Sequence, residues 1–118
     1  MTENINPQIS GYHAHVYFEA STVEQARELC EAAMDRFGIV MGRMHEKLVG
    51  PHPEWSCQLL ISTEQFGEII PWLSLNRDGL TVFIHTETGD DLADHTDFAL
   101  WMGKICPLNL EMFRTSGS

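Results

Sequence analysis

"GYHAHVYF", residues 11–18, is the stretch on which the fold turns. Val16, Tyr17 and Phe18 favour a β-strand, and the run alternates in character. Strand side chains alternate between faces, so Tyr12, Ala14, Val16 and Phe18 share one face, while His13, His15 and Tyr17 share the other. The first set suits a core. The second places two imidazoles and a phenol at two-residue spacing, which no apolar core asks for.

Working outward, "STVEQARELCEAAMDRFG" (21–38) reads as a helix. Val23, Ala26, Cys30, Ala33, Met34 and Phe37 recur at helical spacing, Ser21 and Glu24 fit a capping box, and Gly38 is a stop. "IVMGRMHE" (39–46) reads as a second strand, "KLVGPHPE" (47–54) as a loop and "WSCQLLI" (55–61) as a third strand. "STEQFGEIIPWLSLNRDG" (62–79) predicts a second helix with a Ser62–Gln65 capping box and an apolar stripe of Phe66, Ile69, Ile70 and Leu73. Pro71 inside it predicts a kink or an early end. "NRDG" is a turn, "LTVFIH" (80–85) a fourth strand, and "TETGDDLADHTDFALWMG" (86–103) a loop into a short helix capped by Asp90 or Asp94. The termini are expected to fray, "TSGS" included.

The order is βαββαβ, an α+β chain of the ferredoxin-like type with a four-stranded antiparallel sheet. Right-handed crossovers put both helices on one face and order the strands fourth, first, third, second. The other face is expected to be open. At 118 residues the chain is one domain, with its core over about 11–110.

Composition narrows the function. Acidic residues outnumber basic ones 17 to 7, a net charge of −10. That field repels phosphate backbones, so no nucleic-acid partner is expected. No apolar run approaches the roughly 18 residues of a membrane helix. "MTENINPQIS" lacks the basic start and apolar stretch of a signal peptide, so a cytoplasmic location is expected. Cys30, Cys57 and Cys106 are odd in number and widely spaced, which fits reduced thiols and no zinc motif.

The same alternation in the other strands adds Arg43 and His45, then Ser56 and Gln58, then Thr81, Phe83 and His85 to the open face. His13 and His85 fall on adjacent antiparallel strands and should be close. His45 is expected at the same end of the sheet, two strands and about 10 Å away. With His15, and His52 in the following loop, five histidines converge there. Imidazole-rich sites suit iron, zinc, copper or nickel, and three histidines with an open position support catalysis. No acidic residue falls on this face within a strand; Glu46, Asp90, Asp91 and Asp94 are the carboxylates that could approach it.

"YHAHVYF", "GRMHEKLVGPHP" and "PWLSLNRDGLTVFIHTETGDDLADHTDFALWMG" resemble the DOPA 4,5-dioxygenase family over residues 11 to about 110. The resemblance implies a small ferredoxin-like protein, usually a homodimer of the dimeric α+β barrel kind. It implies extradiol opening of a catechol, in the founding case L-DOPA, with Fe(II) and O2. His13 and His15, His45 and His52, and His85 and His95 are the matching positions. On that reading His13, His15 and His85 hold Fe(II), or zinc or another divalent ion in its place. His45 is the acid/base and Arg43 the anchor for a substrate carboxylate. Tyr17 and Phe83 flank the ring, and Gln58, His52 and His95 complete the substrate site. Two other functions fit the same fold: a non-catalytic dimer binding a small ligand without metal, and a cofactor-free monooxygenase.

Overall fold

A computed structural model of the chain describes residues 8–115. The fraying expected at the termini falls on residues outside the described ones except at Thr115 of "TSGS", which ends a short helix. β1 (Gly11–Phe18) runs through the middle of the sheet because both of its edges are paired. β2 (Trp55–Ile61) lies on one side, β3 (Val82–Glu87) on the other and β4 (Ala99–Met102) beyond β3, in the order β2-β1-β3-β4, all antiparallel. Ala14, Val16, Phe18, Leu59, Ile61 and Ile84 face α1 (Val23–Phe37) and α2 (Phe66–Asn76), whose Ala26, Leu29, Cys30, Ala33, Ile69 and Leu73 complete one core. The ferredoxin-like α+β arrangement, with its antiparallel sheet and two long helices on one side, is therefore as the alternation requires.

Local punctuation follows the sequence with one shift. Gly38 takes the left-handed conformation (φ 66°), and its N–H closes α1 on the Met34 carbonyl. The Gln65 N–H donates to Ser62 Oγ at 3.2 Å, and α2 runs through Pro71 to Asn76 without ending early. The first capping box is not Ser21–Glu24. The Glu19 N–H donates to Thr22 Oγ1 and the Ser21 hydroxyl to Glu19, around a short 3-10 turn at Ala20–Thr22.

The expected second strand, 39–46, is not a continuous strand. Met41 bridges Leu59 and His45 bridges Ser56. Between those bridges stand three residues, Gly42, Arg43 and Met44, against two, Cys57 and Gln58, on β2. The extra residue is a bulge, and it breaks the alternation that had put Arg43 and His45 on one face. Met41 and Met44 both pack on the core. Arg43 is exposed, and its guanidinium has no ion-pair partner among the described residues. The crossover through α1 also makes 39–46 run parallel to β1. His45 therefore lies beside the end of β1, across Ser56 from Tyr17, and not at the His13 end as expected.

The other edge is longer than expected. β3 continues past His85 to Glu87, opposite Gly11. Residues 86–103 hold not only the short helix α3 (Asp91–Asp94), capped by Asp90 through the Ala93 N–H, but also β4. Nor is the second face of the sheet open. Tyr17 and Phe83 are buried there beneath Trp101, Cys106 and Leu108, and Phe113 of α4 (Glu111–Thr115) stacks on His95. No helix among the described residues is long and apolar enough to cross a membrane.

Candidate metal centre

Strand register builds the centre. His13 lies opposite His85 and His15 opposite Phe83, so the three imidazoles share the face away from α1 and α2. The Nε2 atoms of His15 and His85 are 3.1 Å apart. One ring nitrogen from each of His13, His15 and His85 lies within 4.8 Å of the others. His15 and His85 are buried, 5% and 3% exposed, while His13 is half-open. The three residues named from sequence as a metal group are brought together.

Hydrogen bonds decide which nitrogen each ring offers. A carbonyl oxygen only accepts, so His85 donates from Nδ1 to the Thr86 carbonyl at 3.0 Å and keeps a lone pair on Nε2. His13 Nδ1 lies 2.8 Å from the Glu87 carboxylate, which frees its Nε2 in the same way. Burial, with His95 nearby, lowers the His13 pKa, so this contact is a hydrogen bond from a neutral ring more than an ion pair. Ring N–H groups held by a carboxylate or a carbonyl are the usual outer support of metal-bound histidines. Two bonds of about 2.1 Å to one ion, at right-angled to tetrahedral geometry, separate their donors by about 3.0–3.4 Å. The His15–His85 spacing fits that range.

Around the three rings stand two more histidines. His52 comes down from its loop with its ring 4.1 Å from that of His15, and its Nδ1 is 2.8 Å from the Tyr17 hydroxyl. His95, just past α3, lies 4.1 Å from the His85 ring and 4.4 Å from Phe113. Its Nδ1 donates to the Asp91 carbonyl at 2.7 Å, leaving Nε2 as an acceptor. Phe83 is fully buried beneath His15, His85 and His95. Gln58 is half-buried opposite His15. Five histidines do converge, but the fifth is His95 and not His45, which is close enough to His52 only to bear on its charge.

Sequence reasoning also missed Glu87. Ending the strand at His85 hid an acidic residue two positions further along the same face, although the alternation Phe83, His85, Glu87 was there to be continued. A cleft of about 420 Å³ beside His13 and Glu87 is lined also by Tyr12, Val40, Leu60 and Gln65. Asp94 was named as a nearby carboxylate, but its oxygens are taken up by Thr86 and Thr88.

The electrostatics favour neutral rings. Burial, then the neighbouring histidines, holds His15 well below its ordinary value. Burial likewise lowers His52 to about 4, and it lowers His85 to about 4 against the opposing Thr86 hydrogen bond. Burial, then the Asp94 and Asp91 carboxylates, raises Glu87. Burial also raises Tyr17, which stays a neutral phenol.

A pH dependence of stability follows. His52 and His85 have an ordinary pKa of 6.5 when unfolded and about 4 when folded. Below pH 6.5 the unfolded chain takes up protons that the folded chain refuses, so their neutral burial stabilises fully above 6.5 and is lost as pH falls toward 4. The loss is on the order of 3 kcal/mol per ring. Urea midpoints of the metal-free protein should drop steeply between pH 7 and 4.5; a flat profile would contradict neutral burial.

The model of the Dopa 4,5-dioxygenase family matches residues 12–112. An uncharacterised 21.2 kDa protein of Botryotinia fuckeliana is 36% identical over 96% of this chain and 69% of its own length. The DOPA 4,5-dioxygenase of Amanita muscaria is 29% identical over 90% of this chain, which spans 50% of that enzyme. A crystal structure from Nostoc punctiforme, provisionally described as a dioxygenase, superposes with a TM-score of 0.79 at 38% identity, covering 92% of this chain and 94% of the other. With a family match across nearly every element that shapes the histidine centre, the chain belongs to the Dopa 4,5-dioxygenase family.

Proposed function

We propose that this protein is a non-haem, metal-dependent extradiol dioxygenase that opens a catechol ring. The observation that carries the reading is the convergence of His13, His15 and His85, with Glu87 and Thr86 turning two of the three rings so that Nε2 points inward. A divalent iron held by those rings would supply the redox chemistry that lets dioxygen react with a catecholate. Because His85 Nε2 is a lone pair, the proton between it and His15 sits on His15 in the metal-free protein. Taking up an ion requires that proton to leave His15 Nε2, which a neutral ring does by changing tautomer.

The surrounding residues handle the substrate's protons and exclude water. His95 Nε2 accepts the proton of a catechol hydroxyl and later returns it. The neutral Tyr17 hydroxyl shares a hydrogen bond with His52 Nδ1 and holds that ring against His15. Phe83 forms an apolar floor, and Trp101, Cys106 and Leu108 seal the Tyr17 side. His95 replaces His45 in the acid/base role because it lies against His85. Arg43, exposed on the far edge, is not retained as a carboxylate anchor. In the reaction the ring bond beside the diol breaks and both atoms of O2 enter the product, one end as an aldehyde and the other as a carboxylate. No external reductant is consumed.

The test is anaerobic loading with Fe(II), then exposure to oxygen with L-DOPA, dopamine, protocatechuate and catechol. One O2 consumed per catechol and a yellow semialdehyde are expected. Protein that holds stoichiometric iron and consumes no oxygen with any of these refutes the reading.

A further inference from the structure

Asp94 is a carboxylate with no exposed surface on a four-residue helix. A buried charge is costly unless hydrogen bonds satisfy it, and an apolar residue would attach α3 to the sheet without that cost. Here the bonds are complete and all come from β3 or the residue just past it. Thr86 Oγ1 and Thr88 Oγ1 each donate to Asp94 Oδ1 at 2.7 Å, and the Thr88 N–H donates to Oδ2 at 3.0 Å. These bonds outweigh the effect of burial and keep the group ionised.

The clamp joins two parts of the centre. Thr86 gives its carbonyl to His85 Nδ1 and its hydroxyl to Asp94. Asp94 immediately precedes His95, whose ring lies over His85 and whose Nδ1 is tied to Asp91 at the start of the same helix. Hydrogen bonds, unlike apolar packing, fix direction as well as contact. We infer that Asp94 is a positioning residue: through Thr86 and Thr88 it fixes α3 against β3 so that His95 presents Nε2 to the histidine centre. This rests on the reading of His95 as the proton acceptor, and it adds a residue that touches neither substrate nor metal.

Two readouts test it. In metal-free protein, ¹⁵N NMR of the imidazoles should show His95 as the Nδ1–H tautomer. In Asp94→Asn, where an amide N–H₂ replaces one carboxylate oxygen and meets a donor of Thr86 or Thr88, His95 should shift toward the Nε2–H form usual for a loosely held ring. In iron-loaded protein Asp94→Asn should lower kcat about 100-fold, with KM and iron content little changed, as expected of a small misplacement. In a His95→Ala background the same substitution should cost almost nothing, because the effect travels through His95. If Asp94→Asn does not fold, Thr86→Val carries the same tests, and Thr86→Ser should restore wild-type behaviour. An unchanged His95 tautomer, or an equal kcat penalty with and without His95, overturns the inference. Should the wild-type protein prove inert toward catechols, the dioxygenase reading fails while the tautomer measurement still decides the role of Asp94.

Discussion

Alanine at His85 should abolish stoichiometric iron binding while leaving the secondary structure in place. His85 Nε2 is 3.1 Å from His15 Nε2, and its lone pair is directed inward by the Thr86 carbonyl. Removing the ring takes away a donor and leaves His15 and His13 with no partner for a three-point site. Loss of an outer supporting group costs about 10–100-fold in metal affinity, and loss of a ligand costs more. The two cases separate within this centre. His85→Ala and His15→Ala should each weaken iron binding by well over 100-fold, whereas Glu87→Gln, which removes the carboxylate behind His13, should stay within about 10–100-fold. Equilibrium dialysis against iron, with circular dichroism as a check on folding, measures both. Wild-type affinity in His85→Ala and His15→Ala would show that the ion binds elsewhere.

Alanine at His95 should leave iron content intact and lower turnover by about 10²–10⁴-fold, the usual worth of general acid–base catalysis. The ring sits 4.1 Å from His85, and its Nδ1 is committed to Asp91, so only Nε2 is available to a substrate proton. His45→Ala is the contrasting substitution. It removes an imidazole across Ser56 from Tyr17 and should change turnover only a few-fold. Single-turnover oxygen consumption with iron-loaded variants decides between them. A large loss in His45→Ala with none in His95→Ala would return the acid/base role to His45.

The pattern of apolar residues alone determined much of this protein. Alternation in Gly11–Phe18 placed His13 and His15 on one face and Ala14 and Val16 on the other, because a strand's period of two leaves no other arrangement once one face is buried. Apolar stripes at helical spacing located the two long helices and Gly38 the end of the first, since these depend on residues near in sequence, whereas the capping box expected at Ser21 and Glu24 formed instead between Glu19 and Thr22. The adjacency of His13 and His85 followed from topology, as antiparallel neighbours must put one strand's end beside the other's start. What the sequence could not show was where regular alternation fails. A one-residue bulge between Met41 and His45 is a choice between nearly equivalent backbone paths, and it moved Arg43 away from the site. The direction of the crossover through α1 put His45 at the wrong end. The return of the chain after β3 through α3, β4 and α4 brought His95 and Phe113 over the sheet and buried Tyr17 and Phe83, and it depends on contacts far apart in sequence. Only the folded chain decided the chemistry of each ring, because a histidine's tautomer is set by the carbonyl or carboxylate it meets: Thr86 for His85, Glu87 for His13 and Asp91 for His95.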